Sequence, residues 1–366
     1  MSSDIVLVIV VATALTFDFT NGFHDTANVV ATSISTHALP PRAAVAIAAV
    51  LNFVGAFISL EVAATVATDV VQASAVTPTV IFAGLVGAIT WNLMTWYVGL
   101  PSSSSHALIG GMVGAAFAAA GADAVIGEGI LSKVLAPAVI APLVAFVVGL
   151  LAIGIAYRTV AKLRPGSVSR GFRLGQIVTG GLLALAHGTN DAQKTMGVIT
   201  LALIANGNLS GESFEVPAWV VVSSATAIAV GTYTGGWRII RTMGTRIIKM
   251  DAAQGFTAQG AGAATILASS SFGFPLSTTH VISGSVMGSG AGRRLSAVRW
   301  GIAGNMVVAW LITLPAAAAV GAASYGFTRI FGTGASGPLI AFSLAILLGL
   351  WLFVRRLRQV EPVPSG

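Results

Sequence analysis

Long apolar runs dominate the sequence and leave few ways for the chain to fold. A helix needs about 20 mostly apolar residues to cross a hydrocarbon core of about 30 Å. Charged residues make up only 8% of the chain, whereas a soluble globular protein carries about 25%. The sequence therefore predicts an all-α, polytopic helical membrane protein. The eleven apolar segments are 5–35, 43–68, 78–99, 107–120, 134–156, 174–205, 217–236, 255–271, 281–290, 301–323 and 338–354.

These segments differ in length and in the polar residues that they contain. The first and sixth exceed one straight crossing and carry polar residues in their middle, whereas the fourth and ninth are too short to cross and each follows a proline and a polar cluster. The first segment lacks a basic start and a cleavage pattern, so we expect it to be retained. The chain has no cysteine, which excludes disulfide scaffolds, thiolate zinc sites and thiol catalysis.

Lysine and arginine are concentrated in alternate connections, which predicts the orientation in the membrane. By the positive-inside rule the basic connections are cytoplasmic. The intervening connections carry acidic residues, so we expect the N-terminus outside and the C-terminus in the cytoplasm of a cell inner membrane. The high pI near 10.4 then reflects topology and contact with membrane lipid, not nucleic acid. The basic connections contain 16 of the 19 Lys and Arg residues: Arg42; Arg158, Lys162, Arg164, Arg170 and Arg173; Arg238, Arg241, Arg246 and Lys249; Arg293, Arg294 and Arg299; and Arg355, Arg356 and Arg358. The exceptions are Lys133, Lys194 and Arg329. The acidic residues of the intervening connections are Asp69, Asp123, Glu128, Glu212 and Glu215.

Two polar clusters occur twice and in the same order. The cluster Gly22 to Asn28 resembles Gly188 to Lys194, which lies 166 residues later. The cluster Pro101 to His106 resembles Pro275 to His280, which lies 174 residues later. If each proline cluster forms a hairpin that enters and leaves on one face, each half crosses an odd number of times, and the second half is inverted.

This duplication predicts the domain organisation. Residues 1–156 form a first transmembrane repeat, and 157–173 form a basic cytoplasmic linker. Residues 174–323 form a second, inverted repeat, and 324–366 hold a final transmembrane helix and a cytoplasmic tail. The fold prediction thus includes two inverted-topology repeats, discontinuous helices and two re-entrant helical hairpins.

Asp25 and Asp191 are the strongest functional candidates, because an ionised residue near the bilayer centre costs about 3 kcal/mol or more. One interpretation is structural: Asp191 pairs with Lys194 three residues later. However, an ion pair within one half does not explain why a carboxylate occurs in both halves. We therefore expect each aspartate to lie at a helix break and to hold a coupling cation with neighbouring amide and carbonyl oxygens.

The hydroxyl clusters have the pattern of helix starts. A proline followed by several Ser or Thr residues provides capping hydroxyls, free N–H groups and the positive end of a helix dipole. Such ends bind oxyanions, and two of them facing each other would suit a tetrahedral anion. The alternative is that these hydroxyls bond to carbonyls of their own helix or hold helices together.

Together, the four motifs resemble those of the inorganic phosphate transporter (PiT) family, over about residues 16–310. The likeness is greatest to its bacterial low-affinity permeases. The resemblance implies a phosphate symporter driven by sodium or protons, with inverted repeats, two re-entrant hairpins and a homodimeric assembly. Its implied phosphate contacts are Ser103, Ser104, Ser105, Ser277, Thr278 and Thr279. Its implied cation contacts are Asp25, Asn28, Asn190 and Asp191.

Two residues depart from the sodium-coupled form of the family pattern. His24 precedes Asp25, and Lys194 stands where the first motif has Asn28. A lysine ammonium can take a cation's place beside Asp191 and face an anion, and histidine titrates near neutral pH. We therefore predict a phosphate symporter that is proton-coupled or carries a neutral divalent metal–phosphate complex. It would use no resident cofactor or metal, and Lys194 would join the phosphate contacts and His24 the proton contacts.

Other functions remain as alternatives at this point. A sodium-coupled permease fits the acidic residues, and a sulfate permease fits the same donor set because sulfate is also tetrahedral. A channel would conduct without coupling. An intramembrane hydrolase would use Ser105 with a histidine base, but adjacent residues on a helix point about 100° apart and neither half supplies a nucleophile elbow. We accordingly predict that the chain is not an enzyme.

Overall fold

The computed structural model describes the backbone of residues 2–210, 214–332 and 334–358. Glu212, which enters the orientation argument, and the tail 359–366 lie outside the described residues, as do the side chains of Arg355, Arg356 and Arg358. Within the described ranges the chain is helical and has no strand, only an isolated bridge between Val71 and Val125. The all-α prediction is confirmed.

The described residues form fourteen α-helices. They are α1 Ser2–Ser35, α2 Pro41–Gly55, α3 Glu61–Thr68, α4 Pro78–Val98, α5 Ser104–Ala120, α6 Gly127–Gly129, α7 Ala136–Val160, α8 Pro165–Ala205, α9 Ala218–Thr234, α10 Trp237–Arg241, α11 Ala252–Ser271, α12 Thr278–Ala291, α13 Trp300–Ile330 and α14 Ser336–Arg358. The segments Ile130–Leu135 and Thr242–Arg246 are π-helical.

Helix ends differ from the apolar segments at several places, and two of these change the predicted organisation. The segment 43–68 forms two helices, because α2 ends at Gly55 and α3 begins only at Glu61. The basic segment 157–173 is mostly helical, since α7 continues to Val160 and α8 begins at Pro165. Proline is well suited to the first turn of a helix, so only 161–164 separates the two helices.

The expectation of helix breaks at the two aspartates is wrong. Asp25 lies within the continuous α1 and Asp191 within the continuous α8. Neither polar cluster contains a proline, and their side chains find partners on other helices, so the backbone keeps its own hydrogen bonds. Breaks occur instead before α5 and α12, and between Ala218–Thr234 and Trp237–Arg246, which bend by 60°.

The helices repeat in order and in packing. By position, α1, α2, α4, α5 and α7 correspond to α8, α9, α11, α12 and α13. The helix α5 packs on α13 and α12 packs on α7, while α1 packs on α9 and α8 packs on α2. Each half therefore packs its helices against the other half in the same way, as duplicated units would. The opposite orientation of the halves stays a prediction.

Small residues allow these crossings to be close. A Cβ added at Gly114 would lie 1.9 Å from the carbonyl oxygen of Ala318 on α13. The equivalent Cβ at Gly288 would lie 2.0 Å from the carbonyl oxygen of Phe146 on α7. Gly110 and Gly284, one turn earlier, meet α13 and α7 in the same manner. Glycine at these four positions lets α5 and α12 contact backbone directly.

Several described helices are long and apolar enough to cross a membrane. They are Asp4–Ser35, Pro78–Val98, Gly127–Val160 and Trp300–Ile330, with the bent pair Ala218–Thr234 and Trp237–Arg246 as a fifth. The helices α7 and α13 also expose large apolar side chains, such as Leu143 and Leu311. This exposed apolar surface is what a lipid-facing helix requires, and the chain is an integral membrane protein.

Candidate functional site

Asp25 lies on α1 in a fully buried polar cluster. Its Oδ1 lies 2.6 Å from His24 Nδ1, and its Oδ2 accepts a hydrogen bond from the Ser104 hydroxyl. The Thr279 hydroxyl, on α12 of the other half, approaches Oδ1 at 3.5 Å. One carboxylate is thus held by both hydroxyl-rich helix starts.

Asp191 lies on α8 in an equivalent position with different partners. Its Oδ1 accepts a hydrogen bond from the Lys194 ammonium, and its Oδ2 accepts one from the Thr278 hydroxyl at 3.2 Å. His187 Nε2 lies 3.0 Å from the same Oδ2. The pair of Asp191 with Lys194 therefore exists, and it forms part of a larger cluster.

The two hydroxyl clusters form helix starts as predicted from their sequence. Ser103 caps α5 by accepting a hydrogen bond from the His106 N–H at 3.1 Å. Ser277 caps α12 in the same way, with the His280 N–H at 3.3 Å. These caps orient the first N–H groups of both helices toward the buried end.

The two helix starts meet at the Leu276 carbonyl. The Ser105 hydroxyl donates to this oxygen at 2.8 Å, and the Lys194 ammonium donates to it at 2.8 Å. On the other side, the Asn28 amide donates to the Thr279 hydroxyl at 2.9 Å and approaches that of Thr278 at 3.4 Å. Side chains from both halves thus form one buried polar site.

Asn190 is the predicted residue that lies apart from this cluster. Its amide donates to the Ser270 hydroxyl at 2.8 Å and to the Phe274 carbonyl at 3.2 Å. Ser270 is near the end of α11, and Phe274 lies in the connection to α12. Asn190 therefore holds the segment that leads to the second helix start.

Two acidic side chains and one histidine are close enough to share a cation. Ligand atoms of Asp25, His187 and Asp191 all lie within 4.8 Å of one another, and all three residues are buried. Carboxylate oxygens and an imidazole nitrogen are ligands that divalent metal ions accept. Carboxylates this close repel each other unless a proton or cation lies between them.

Two residues of this site, His187 and Thr95, are not among those predicted from the sequence. His187 lies four residues before Asp191, on the same helix face, and this spacing was the available signal. Thr95 on α4 had no motif; it lies 3.2 Å from His24 Nε2 and accepts a hydrogen bond from Ser102 at 2.8 Å. His24 is therefore fixed between Asp25 and a hydroxyl pair.

Gln193 is a further residue that only the structure reveals. Its Oε1 accepts hydrogen bonds from the backbone N–H groups of Val62 and Ala63, at 2.8 and 3.2 Å. These are at the start of α3, a helix without a side-chain cap at its preceding residue. A residue two positions after Asp191 thus also fixes a helix of the first half.

We expect Gln193→Ala to lower stability by about 1–3 kcal/mol, because two buried N–H groups lose their acceptor. Thermal melting of the purified protein in detergent measures this effect. Gln72→Ala is the matched control, since Gln72 is exposed. Equal melting temperatures for the two variants would contradict the capping role.

A stack of rings lies behind the helix starts. The His106 and His280 rings are 4.8 Å apart edge to face, and His280 stacks on Trp310 at 4.1 Å. The Ser105 hydroxyl donates to a carbonyl and not to a histidine. The serine and histidine arrangement that a hydrolase requires is therefore not formed by these residues.

The fold and the enclosed site define a class: a helical integral membrane protein whose duplicated halves surround one buried polar cluster. Residues 21–167 and 158–321 match the phosphate transporter family. The chain belongs to this family, which confirms the resemblance seen in its motifs. The proteins and the fold that it matches are those of phosphate transporters and not of enzymes.

Individual relatives agree with this assignment. A Mycobacterium tuberculosis protein described as a probable low-affinity inorganic phosphate transporter is 55% identical over 352 residues, which cover 96% of this chain and 84% of the relative. A Bacillus subtilis protein with the same description is 46% identical over 323 residues, 88% of this chain and 96% of the relative. A solved structure described as the sodium-dependent phosphate transporter matches with a TM-score of 0.80 at 25% identity, over 89% of this chain and 99% of that one.

Proposed function

We propose that this protein is a secondary active transporter that carries inorganic phosphate by alternating access around the site between its halves. The observation that carries the proposal is the meeting of two capped helix starts and two carboxylates at one buried point. Helix N-termini bind oxyanions through their N–H groups and dipoles. The family relationship supports phosphate as the anion.

The charges of the site favour co-transport of a cation. Asp25 and Asp191 bring two negative charges, Lys194 brings one positive charge, and phosphate would add one or two negative charges. An excess of negative charge in a buried site is costly. A cation or proton that binds with phosphate offsets this cost. Each of the two ligands therefore raises the affinity of the protein for the other, which is the thermodynamic basis of symport.

Each group then has a role. The hydroxyls of Ser104, Ser105, Thr278 and Thr279, with the Lys194 ammonium, provide donors for phosphate oxygens. Ser103 and Ser277 cap the two helices and keep the N–H groups in place. Asp25 and Asp191 hold the coupling ion or proton. Asn28 links α1 to the start of α12, and Asn190 holds the connection that leads from α11 to α12.

Proton coupling or passage of a metal–phosphate complex is our preferred mechanism over sodium coupling. His24 contacts Asp25 and offers an imidazole that can carry a proton, while the Lys194 ammonium lies beside Asp191, where a sodium ion would otherwise bind. The grouping of Asp25, His187 and Asp191 equally supports passage of a neutral divalent metal–phosphate complex. Sodium coupling is the alternative, which the sodium-dependent structural relative favours.

Reconstituted vesicles can decide between these mechanisms. We expect an inward proton gradient to drive uptake of radiolabelled phosphate at least about tenfold above the rate without a gradient, because protons neutralise the loaded site. A sodium gradient at equal pH should have no such effect. Magnesium added to the medium tests whether phosphate is carried as a metal–phosphate complex. Sodium-driven uptake without a pH gradient would refute proton coupling.

Excess sulfate should compete weakly, and strong competition across the pH range would favour a sulfate permease.

The remaining proposals concern the surroundings of the protein. We place the N-terminus outside and the C-terminus in the cytoplasm of the cell inner membrane, because basic residues are concentrated in alternate connections. A homodimer, implied by the resemblance, would bury part of the apolar surface of α7 or α13. Membrane lipid would cover the rest.

A further inference from the structure

A third buried carboxylate, Asp18, lies outside the site described above. It is on α1, seven residues before Asp25, and its exposed fraction is 0%. The Thr195 side chain of α8 lies beside it. Within the described part of the chain, neither carboxylate oxygen meets a donor with hydrogen-bond geometry, and the Thr195 hydroxyl is also without a partner.

This environment differs from that of the other two aspartates. Asp25 contacts His24, Ser104 and Thr279, and Asp191 contacts Lys194, His187 and Thr278. Those donors stabilise an ionised carboxylate. Asp18 has no such set, so its ionised form would be an uncompensated buried charge, which is strongly disfavoured.

Few charged groups act on Asp18. From α8 they are Asp191 and Lys194, with opposite signs. The helices α4 and α9, which flank this part of α1, contain no Asp, Glu, Lys, Arg or His. The helix α5 contributes only His106, which contacts His280, and the described side chains of α14 carry no charge.

We propose that Asp18, and not Asp25, Asp191 or His24, is the group that binds the coupling proton, with the Thr195 hydroxyl accepting the hydrogen bond of the protonated carboxyl. Asp25 and Asp191 then stay ionised beside their donors. The inference rests on the proposed proton-coupled phosphate transport and names its carrier. A proton that arrives from outside converts the carboxylate to a neutral acid, and its release to the cytoplasm restores the carboxylate. Because Asp18 interacts with the Asp191 and Lys194 pair, its charge state is coupled to phosphate binding.

The test compares two kinds of transport in proteoliposomes. We expect Asp18→Asn to lower proton-driven net uptake at least tenfold and to abolish its pH dependence, because net uptake requires the carboxyl to release its proton. Exchange of external for internal phosphate at equal pH should stay within twofold of the wild type, since exchange uses only loaded forms. Asp18→Glu should restore part of the proton-driven uptake.

A direct readout accompanies the transport assays. In infrared difference spectra taken across pH, the carbonyl band of a protonated carboxyl should titrate in the wild type and be missing in Asp18→Asn. Proton-driven uptake that is unchanged in Asp18→Asn would overturn the inference, as would loss of exchange together with uptake in a correctly folded variant. If the wild type responds to sodium alone, the proposed proton coupling fails independently of Asp18. Gel filtration establishes whether the variant is folded. If Asp18→Asn does not fold, infrared titration of Thr195→Val tests the inference instead. A carboxyl band that is not shifted in Thr195→Val would overturn the inference.

Discussion

Asp191→Asn is expected to reduce phosphate uptake by about 100-fold or more. The substitution leaves the Lys194 ammonium buried without its carboxylate partner, and breaking a buried pair in this way costs about 3–5 kcal/mol. It also removes an acceptor of the Thr278 hydroxyl and one of the three side chains that lie close enough to share a cation. Asp25→Asn should have a similar effect, because Ser104 and His24 lose their charged partner. Uptake of radiolabelled phosphate measures both variants, and Asp123→Asn is the matched control because Asp123 is exposed.

A second substitution separates transport from folding in this experiment. The double variant Asp191→Asn Lys194→Met removes both charges, so no lone buried charge remains. We expect its melting temperature to recover relative to Asp191→Asn while phosphate uptake stays lost. Recovered uptake in the double variant would show that the pair is only structural.

Gly114→Ala is expected to destabilise the protein by about 1–3 kcal/mol or more, because the added methyl group would overlap backbone atoms of α13. Gly288→Ala should have a comparable effect at the equivalent contact with α7. Melting temperatures in detergent measure both variants. Gly154→Ala is the control: it lies within α7 with nothing within 4 Å of the added Cβ, so alanine should be neutral or stabilising by up to about 1 kcal/mol. A melting temperature of Gly114→Ala as high as that of Gly154→Ala would show that the contact between α5 and α13 can widen without loss of stability.

Much of the site could be predicted because its residues occur in repeated motifs. The spacing of hydroxyls after a proline predicted the helix starts at Ser103 and Ser277, since capping is a local property. The presence of a carboxylate in both halves predicted that Asp25 and Asp191 belong to one site. The pair of Asp191 with Lys194 followed from a spacing of three residues on a helix.

Other features depend on contacts between distant segments and have no local signal. The continuity of α1 and α8 through their polar clusters results from partners on α5 and α12, which a window of sequence does not contain. The direction of Asn190 toward Ser270 and Phe274, and the cap that Gln193 provides for α3, are also tertiary contacts. Asp18 was visible as a carboxylate in an apolar run, but its lack of donors is a property of the packed molecule.

The crossed packing of α5 on α13 and of α12 on α7 has a mechanical consequence. Each half supplies the helix on which the other half's capped helix, α5 or α12, packs, so the two halves are interlocked. Because α5 and α12 contact the backbone of α13 and α7 at Gly114 and Gly288, we expect a rotation of one half to move the helix start of the other half with it. In the proposed alternating-access mechanism, this coupling would link opening on one face of the membrane to closure on the other and so limit leakage of the coupling ion.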